Sequence, residues 1–332
     1  MGNVAIQGFG RIGRSALKGA LKHNLFSPVA ISDVKDLKTL AMLFEADSNY
    51  GRWHEPVSVS GDKLIIGGRE IKYYNVAEGL PDWGAMGVDV VIDCTGRATT
   101  RPGAQPHLDK GAKRVLISAA SKTLQDADAV LLPGINTDTY KPDQHRIISM
   151  ASCTTNALAP VVKVLRDLVG IKSAFFSTVH AYTNTQSLTD QPMKDLRDSW
   201  AAAENIIPSS SGAAKALLFI WPDLKITGKA YRVPTRTGSI AEVNAVVSRP
   251  ITADEIKDAF RKAAQSSALK GVMDVLEDEW ASTRIVGDSH SSIIDLPLVQ
   301  VMDETLVSVA AWYDNEMGYS TQLAHMAAFL SK

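Results

Sequence analysis

The chain has 332 residues, 45% hydrophobic and 21% charged, the balance of an ordinary globular protein with room for two domains. A formal net charge of −1 leaves no electrostatic case for nucleic acid or an anionic membrane. No apolar run approaches the ~18 residues a membrane span needs, the opening Met1-Gly2-Asn3-Val4-Ala5-Ile6 lacks a basic signal start, and two distant cysteines make no disulfide framework, so a cytoplasmic chain with reduced thiols is expected.

Residues 3–7 read as a short strand ending at Gly8. Ile12, Ala16, Leu17 and Ala20 then recur at helical spacing over 11–21. A second strand over 28–33 ends on Asp33, and a second helix follows over 36–45. Turn signals at Gly61-Asp62 and Gly67-Gly68 divide residues 56–75 into antiparallel ribbons. The apolar run 88–93 has the composition of a strand buried on both faces. A helix over 104–110 and strands over 113–118, 129–132 and 147–148 complete this half. The alternation predicts a doubly wound parallel sheet over residues 1–150. Past that point long β-rich segments appear at 171–181, 225–235, 239–248, 293–301 and 305–313. Helices are expected over 154–167, 211–220, 252–266 and 316–330. The fold class is therefore α/β, with a Rossmann-type sheet followed, over 151–314, by a mixed α/β domain with a largely antiparallel sheet. The polar segment 182–200 reads as a long ordered loop.

Gly8-Phe9-Gly10-Arg11-Ile12-Gly13 lies between the first strand and the first helix and matches G-x-G-x-x-G. The first glycine permits a tight turn, the second lets a pyrophosphate approach the backbone, and the third lets helix and strand pack closely. The pyrophosphate would rest on the N–H groups of the helix start. Alone the motif is weak. Asp33 strengthens it, because this fold places an acidic side chain there for the adenine ribose diol. Its charge would repel a 2′-phosphate, which favours NAD over NADP, with Lys35 as a possible counterweight. Thr95-Gly96 stands where a third loop lines the dinucleotide, and equally reads as an ordinary turn. Cys94 reads as a small core residue.

Cys153 falls where a strand hands over to a helix. A helix start carries about half a positive charge and unpaired N–H groups, which stabilise the thiolate, the reactive form of cysteine. A cysteine nucleophile also needs a base. Of the seven histidines, His180 is best placed, because it ends the apolar run Ala174-Phe175-Phe176-Ser177-Thr178-Val179. Its separation of 27 residues from Cys153 accommodates one helix and one returning strand. Two neighbouring strands would then bring their ends together. A hydrogen-bonded structural histidine is the competing reading. Arg197 in the polar loop and Arg232 in Arg232-Val233-Pro234-Thr235 could bind an anionic substrate or form surface ion pairs. Pro208-Ser209-Ser210-Ser211-Gly212-Ala213-Ala214-Lys215 resembles a phosphate-accepting loop before a helix.

These residues together resemble the phosphorylating glyceraldehyde-3-phosphate dehydrogenases, over essentially the whole chain. The resemblance rests on Gly8-Phe9-Gly10-Arg11-Ile12-Gly13-Arg14, Ser152-Cys153-Thr154-Thr155-Asn156, His180-Ala181-Tyr182-Thr183, Asn205-Ile206-Ile207-Pro208, Gly212-Ala213-Ala214-Lys215-Ala216, Arg232-Val233-Pro234-Thr235 and Trp312-Tyr313-Asp314-Asn315-Glu316. It implies that Cys153 attacks the aldehyde of glyceraldehyde 3-phosphate while His180 takes the proton and NAD takes hydride. Inorganic phosphate then releases 1,3-bisphosphoglycerate from the thioester, a step of glycolysis and gluconeogenesis. The resemblance assigns Thr183 and Arg232 to the substrate phosphate, and Ser152, Ser211, Gly212 and Arg197 to inorganic phosphate, with Thr154 among the phosphate-site residues. It assigns Arg11 and Ile12 to the pyrophosphate, Ser118 to the nicotinamide side, and Asn315 to the carboxamide with Tyr319 nearby. No metal is implied. The C-terminal segment 315–332 would complete the first domain. Family members are usually homotetramers in which the 182–206 loop reaches the neighbouring subunit's cofactor.

Several positions depart from the family's usual pattern. Ala157 stands for a frequent second cysteine, Ser211 for a Thr, Ala98 for an aromatic near the adenine, and Ala120 for a Pro. Trp200 stands for a second Arg, Arg236-Thr237-Gly238 for Pro-Asn-Val, and Met317 for an aromatic. None removes a reacting group. An erythrose-4-phosphate dehydrogenase would share nucleophile, base and fold, but Asp33 and Ser211-Gly212 favour the glyceraldehyde enzyme. Aspartate-semialdehyde dehydrogenases have a similar layout without this motif set. A non-catalytic NAD-binding regulator is opposed by the intact Cys153 and His180.

Overall fold

The computed structural model describes residues 1–332, with Glu78 described by its backbone alone. The chain divides into two compact units. One comprises Met1–Leu132, Asn136–Ala151 and Ser320–Lys332, the other Pro133–Ile135 and Ser152–Tyr319.

The first unit begins with β1 (Asn3–Gln7), α1 (Arg11–His23), β2 (Ser27–Asp33) and α2 (Leu37–Glu45). A small ribbon of β3 (Ala46–Asp47) and β4 (Gly51–Arg52) precedes β5 (Val57–Ser60), β6 (Lys63–Ile66) and β7 (Arg69–Asn75). Then come β8 (Val90–Asp93), α3 (Arg101–Asp109), β9 (Arg114–Ile117), β10 (Ala129–Val130) and β11 (Ile147–Ser149). Nine strands form one sheet in the order β10-β11-β9-β8-β1-β2-β7-β6-β5. It is parallel from β10 to β7, and β6 and β5 add an antiparallel edge. Val4, Ala5, Ile6, Val90, Val91 and Ile92 are fully buried, as central strands covered on both faces require. Each such Val or Ile contributes roughly 1.5–3 kcal/mol relative to exposure. Because β1 lies between β2 and β8, the strand order reverses at β1, the place where doubly wound sheets bind ligands at their carboxyl ends.

The second unit opens with α4 (Cys153–Val169), β12 (Ile171–Ala181), β13 (Ile207–Ser209), α5 (Ala213–Ile220) and β14 (Ile226–Val233). It continues through β15 (Ser239–Val247), α6 (Ala253–Ala264), β16 (Met273–Leu276), β17 (Ser292–Asp295), β18 (Gln300–Met302) and β19 (Leu306–Tyr313). The final helix, α7 (Met317–Leu330), carries the chain from this unit back into the first. The second sheet has the order β13-β14-β12-β15-β19-β17-β16, with β18 added on β19. Five of its pairings are antiparallel, while β12 with β14 and β16 with β17 are parallel. The single strand expected over 293–301 is broken. Leu296–Leu298 turns as a short 3-10 helix around Pro297, which has no N–H for a ladder, and β17 and β18 are separate strands. The start expected for α3 at residue 104 moves back to Arg101, because Pro102 suits a helix's first turn, where a missing N–H costs nothing.

Alternation along β12 sets up the chemistry that follows. Ala174, Phe176, Thr178 and His180 are buried on one face, against which α4 packs. Phe175 and Val179, on the other face, are 67% and 43% exposed. None of the described helices is long and apolar enough to cross a membrane.

Candidate active site

In the first unit the glycine-rich turn has the geometry its sequence demands. Gly8 has φ +85°, and a Cβ on Gly13 would lie 2.1 Å from the Gly8 carbonyl oxygen, so α1 can pack onto β1 only through glycine. A Cβ on Gly10 would meet nothing within 4 Å, which leaves open backbone at the N-terminus of α1. That terminus has no side-chain cap, so an oxyanion can serve as one. Asp33, ending β2, accepts the Phe9 N–H on Oδ2 at 2.7 Å and the Lys35 N–H on Oδ1 at 3.0 Å. Its carboxylate thereby anchors the turn and keeps further lone pairs for a diol. These features fit a dinucleotide. The Arg11 guanidinium is committed to Asp47 through two 3.2 Å bonds, so what Arg11 and Ile12 can offer an oxyanion is the helix-start backbone. Thr95 donates its N–H and hydroxyl to Asp93 Oδ1, at 2.9 and 2.6 Å, and Gly96 has φ +69°. Asp93 is held in turn by His107, which accepts from Trp83. The Ser118 N–H bonds to the Asp93 carbonyl.

The second unit brings Cys153 and His180 together. Cys153 is the first residue of α4, and the N-cap Ser152 accepts the Thr155 N–H on its Oγ at 3.1 Å. Ala151, just ahead, has the left-handed φ of 55°, a strained turn that a non-glycine sequence does not advertise. Cys153 Sγ lies 3.4 Å from His180 Nε2. The route to this contact differs from the expected one. β11 and β12 belong to different sheets, so no neighbouring strand ends are involved. Instead α4 lies across the face of the second sheet onto which His180 points.

Burial works against the expected thiolate. Burial pushes the Cys153 thiol up, against the pull of the Arg232 guanidinium and of Thr154. Burial, aided by Arg232, pushes His180 down to about 3. Burial thus opposes charge on both groups, and the nucleophile has its base in contact. Cys94 is pushed up to about 12 by burial, and no histidine contacts its sulfur among the described residues. Its thiolate fraction at pH 8 is about 10⁻⁴. Limiting iodoacetamide at that pH is expected to label Cys153 with single-residue stoichiometry. Peptide mapping checks this, and label found chiefly on Cys94 would contradict it.

Tyr313 orients the base. Its ring meets His180 edge-on, with centroids 5.8 Å apart, and its hydroxyl bonds Thr178 Oγ1 at 2.8 Å and Thr154 Oγ1 at 3.1 Å. Thr154, expected among the phosphate-site residues, therefore turns its hydroxyl into the core, and its side chain is not available to a ligand. Arg232 is the register partner of His180 across the parallel β12–β14 pair. Its Nη1 lies 2.7 Å from His180 Nδ1, and its Nε is buried without a hydrogen-bond partner.

The other phosphate candidates lie on loops. Thr183 Oγ1 bonds within a tight turn, 2.9 Å from Thr185 Oγ1 and 3.1 Å from Gln186 Oε1. Ser211 Oγ accepts the Ala213 N–H at 3.3 Å, and Gly212 is the N-cap of α5. Arg197 is exposed on the short 3-10 turn Leu196–Ser199, and its guanidinium has no hydrogen bond or ion pair among the described residues. Nothing described joins Arg197 to Cys153 or His180.

Asn315 is held more tightly than its sequence shows. Its Oδ1 accepts from Gly238 N at 3.1 Å and Ser239 Oγ at 2.9 Å, with Thr237 Oγ1 at 3.4 Å. The Gly238 N–H can only donate, so the amide is fixed with Oδ1 as the acceptor and Nδ2 as the remaining donor. Asp314 braces this turn, taking Thr237 Oγ1 on Oδ1 at 2.9 Å and Gly287 N on Oδ2 at 2.7 Å. Tyr319 is buried behind it, its N–H on the Asp314 carbonyl. Among the described residues, no three His, Cys, Asp or Glu side chains are grouped to hold a metal ion.

Known proteins resemble this sequence. The pattern described as "Glyceraldehyde 3-phosphate dehydrogenase, C-terminal domain" matches residues 152–315. The corresponding NAD binding domain matches residues 2–101. The chain is 47% identical over 328 residues to a glyceraldehyde-3-phosphate dehydrogenase of Kitasatospora aureofaciens, covering 97% of each chain. It is 44% identical over 332 residues to that of Geobacillus stearothermophilus, covering 99% of this chain and 98% of the relative. Glyceraldehyde-3-phosphate dehydrogenase 1 of Bacillus subtilis is 42% identical over 334 residues, with 99% and 98% covered.

Proposed function

The chain belongs to the glyceraldehyde-3-phosphate dehydrogenase family, and on that premise we propose that it oxidises D-glyceraldehyde 3-phosphate with NAD and inorganic phosphate to 1,3-bisphosphoglycerate, through a thioester on Cys153. The observation that carries this reading is the 3.4 Å contact between Cys153 Sγ and His180 Nε2 at the start of α4. His180 Nε2 accepts the thiol proton as Sγ attacks the aldehyde carbon and returns it to the former carbonyl oxygen, and a hemithioacetal forms. NAD, when bound, supplies the hydride acceptor. As the hemithioacetal is oxidised, its hydroxyl proton passes to His180 and a thioester remains on Sγ. A phosphate oxygen then attacks the thioester carbon, the C–S bond breaks, and the acyl phosphate leaves with Cys153 restored.

The residue roles follow from what each side chain has to offer. Arg232, with its unpartnered buried Nε, takes the substrate phosphate together with Thr183. Ser152, Ser211, Gly212 and Arg197 serve inorganic phosphate. Gly8, Gly10 and Gly13 shape the turn for the dinucleotide, Asp33 takes the ribose diol, and Thr95, Gly96 and Ser118 line the same crevice of the first sheet. Asn315 Nδ2 donates to the carboxamide. We read the first unit as the NAD-binding domain, completed by the C-terminal helix, and the second as the catalytic domain. The exposed Phe175 and Val179 on the outer face of β12 support assembly with further copies, as in a homotetramer. Unpaired cysteines suit a cytoplasmic setting in glycolysis or gluconeogenesis.

A steady-state assay with glyceraldehyde 3-phosphate, with NAD or NADP, and with or without phosphate tests the reading. Sustained NADH formation is expected only with phosphate present. NAD is expected to be preferred by at least about tenfold, since repulsion worth ~1.4 kcal/mol between Asp33 and a 2′-phosphate suffices for that. Preference for erythrose 4-phosphate, or no reduction of either cofactor, would overturn it.

A further inference from the structure

A buried chain of hydrogen bonds in the first unit runs from its core to the Thr95-Gly96 turn. Trp83, His107 and Asp93 are 0%, 3% and 4% exposed. The Trp83 indole donates its Nε1–H to His107 Nδ1 at 3.1 Å, and His107 Nε2 lies 3.2 Å from Asp93 Oδ2. Asp93 Oδ1 takes both the N–H and the hydroxyl of Thr95, whose Oγ1 accepts the Arg97 N–H at 3.1 Å. An indole nitrogen only donates, so Nδ1 is the acceptor of the histidine ring and the proton stands on Nε2, facing the carboxylate. The order of donors and acceptors is thereby fixed from Trp83 to Arg97. Only a carboxylate can stand in the middle of it, because it accepts on both sides. Such a network can serve stability alone, but its outer end argues for more. A Cβ on Gly8 would lie 2.9 Å from the Thr95 nitrogen and 3.0 Å from Thr95 Cγ2. The Thr95 turn is therefore seated on the glycine turn, where the strand order reverses and the ligand crevice of such a sheet opens. Among the described residues, no side chain other than Asp93 bonds Thr95.

We propose that His107 is a positioning residue for the cofactor: held by Trp83, it sets the Asp93 carboxylate, and through it the Thr95-Gly96 turn, in the shape that receives the dinucleotide. This rests on the reading of that turn as a wall of the dinucleotide crevice. His107 lies in the last turn of α3 and acts only through Asp93. Without its Nε2–H bond the carboxylate can rotate about the Cα–Cβ bond, and the two Thr95 bonds loosen with it. Ordering the turn then falls to the arriving cofactor, which lowers its affinity. The reacting groups Cys153 and His180 belong to the second unit, so the chemical step at saturating NAD is left as it was.

Two replacements of His107 separate the ends of the chain. Asparagine keeps an acceptor near the Nδ1 position for the Trp83 indole but is too short to reach Asp93. Glutamine puts an amide donor near the Nε2 position and gives up the bond to Trp83. The measurements on the full-length protein are the NAD Kd by calorimetry, steady-state kinetics with glyceraldehyde 3-phosphate, and thermal unfolding. His107→Asn is expected to raise the Kd and the KM for NAD about tenfold, with kcat at saturating NAD within about twofold of wild type. His107→Gln is expected to keep the wild-type Kd, although its unpaired buried indole lowers the melting temperature. A network that serves stability alone would make both variants less stable and alter the Kd of neither. An unchanged Kd in folded His107→Asn, or equal rises in both variants, overturns the proposal. Should His107→Asn not fold, Asp93→Asn takes its place, because one amide oxygen cannot accept from both Thr95 and His107. The same rise is expected there, and an unchanged Kd overturns the proposal equally. The Thr95 methyl NMR signal, identified by its loss in Thr95→Ser, separates the two ideas. A signal that moves on adding NAD, beside an unchanged Kd in His107→Asn, removes only the relay. A signal unmoved by NAD removes the reading of the turn, and the relay with it.

Discussion

Replacing Cys153 with serine is expected to lower NADH formation from glyceraldehyde 3-phosphate by roughly four orders of magnitude or more, the scale of removing a covalent nucleophile. A serine hydroxyl is a far weaker acid than a thiol. His180, held down to about 3, is too weak a base to compensate. The substitution changes one atom at the first position of α4. The Ser152 cap, the Tyr313 bonds to Thr154 and Thr178, and the Arg232–His180 register all remain. Thermal stability is therefore expected to stay within about 1 kcal/mol of wild type, and NAD binding to persist. Rapid mixing checks it. The wild type should give a burst of NADH equal to the enzyme, and Cys153→Ser none. A burst retained in the variant would place the nucleophile elsewhere.

His180→Asn carries the second largest expectation, a loss of about 10²–10⁴ in kcat, the usual range for a general base. Asparagine keeps a polar group near the Ala181 carbonyl but presents no lone-pair nitrogen to Sγ. The variant also carries a stability signature. In the unfolded chain His180 ionises near 6.5, and in the fold at about 3, so between those values only the unfolded chain binds the proton. Folding stability contributed by this site is complete above about pH 6.5 and is lost as the pH falls toward 3. His180→Asn removes the titration, so its urea midpoint should fall less steeply than that of wild type across this window. Identical pH profiles for the two proteins would show that the ring is not buried in the neutral form.

The sequence made the first sheet legible because its strands carry near-continuous Val and Ile, which only burial on two faces explains. It made the nucleotide turn legible because Gly8 and Gly13 answer a steric demand that no other residue meets. Local patterns failed where partners are far apart. Strand β13 was hidden in a stretch rich in Pro and Ser, and it forms because β14 offers it an edge. Pro297 marks the break between β17 and β18, although the hydrophobic run around it reads as one strand. The spacing of Cys153 and His180 points to their pairing, though β11 and β12 are not neighbouring strands. The supports of the site gave no signal in the chain order. Arg232 meets His180 through a strand register, Tyr313 meets it from β19, and Thr237, Ser239 and Asp314 converge on Asn315 from separate segments. The hydroxyl of Thr154 showed the opposite error, because a motif lists neighbours without saying which way each side chain points.

Thioester chemistry at Cys153 is the centre of this account, and trapping the acyl-enzyme tests it most directly. The protein is mixed with glyceraldehyde 3-phosphate and NAD without phosphate, quenched in acid, and digested for mass spectrometry. A phosphoglyceroyl group is expected on the Cys153 peptide, one per chain, and its loss on adding phosphate before the quench. An unmodified Cys153 beside a stoichiometric yield of NADH, or an adduct that phosphate does not discharge, would contradict it.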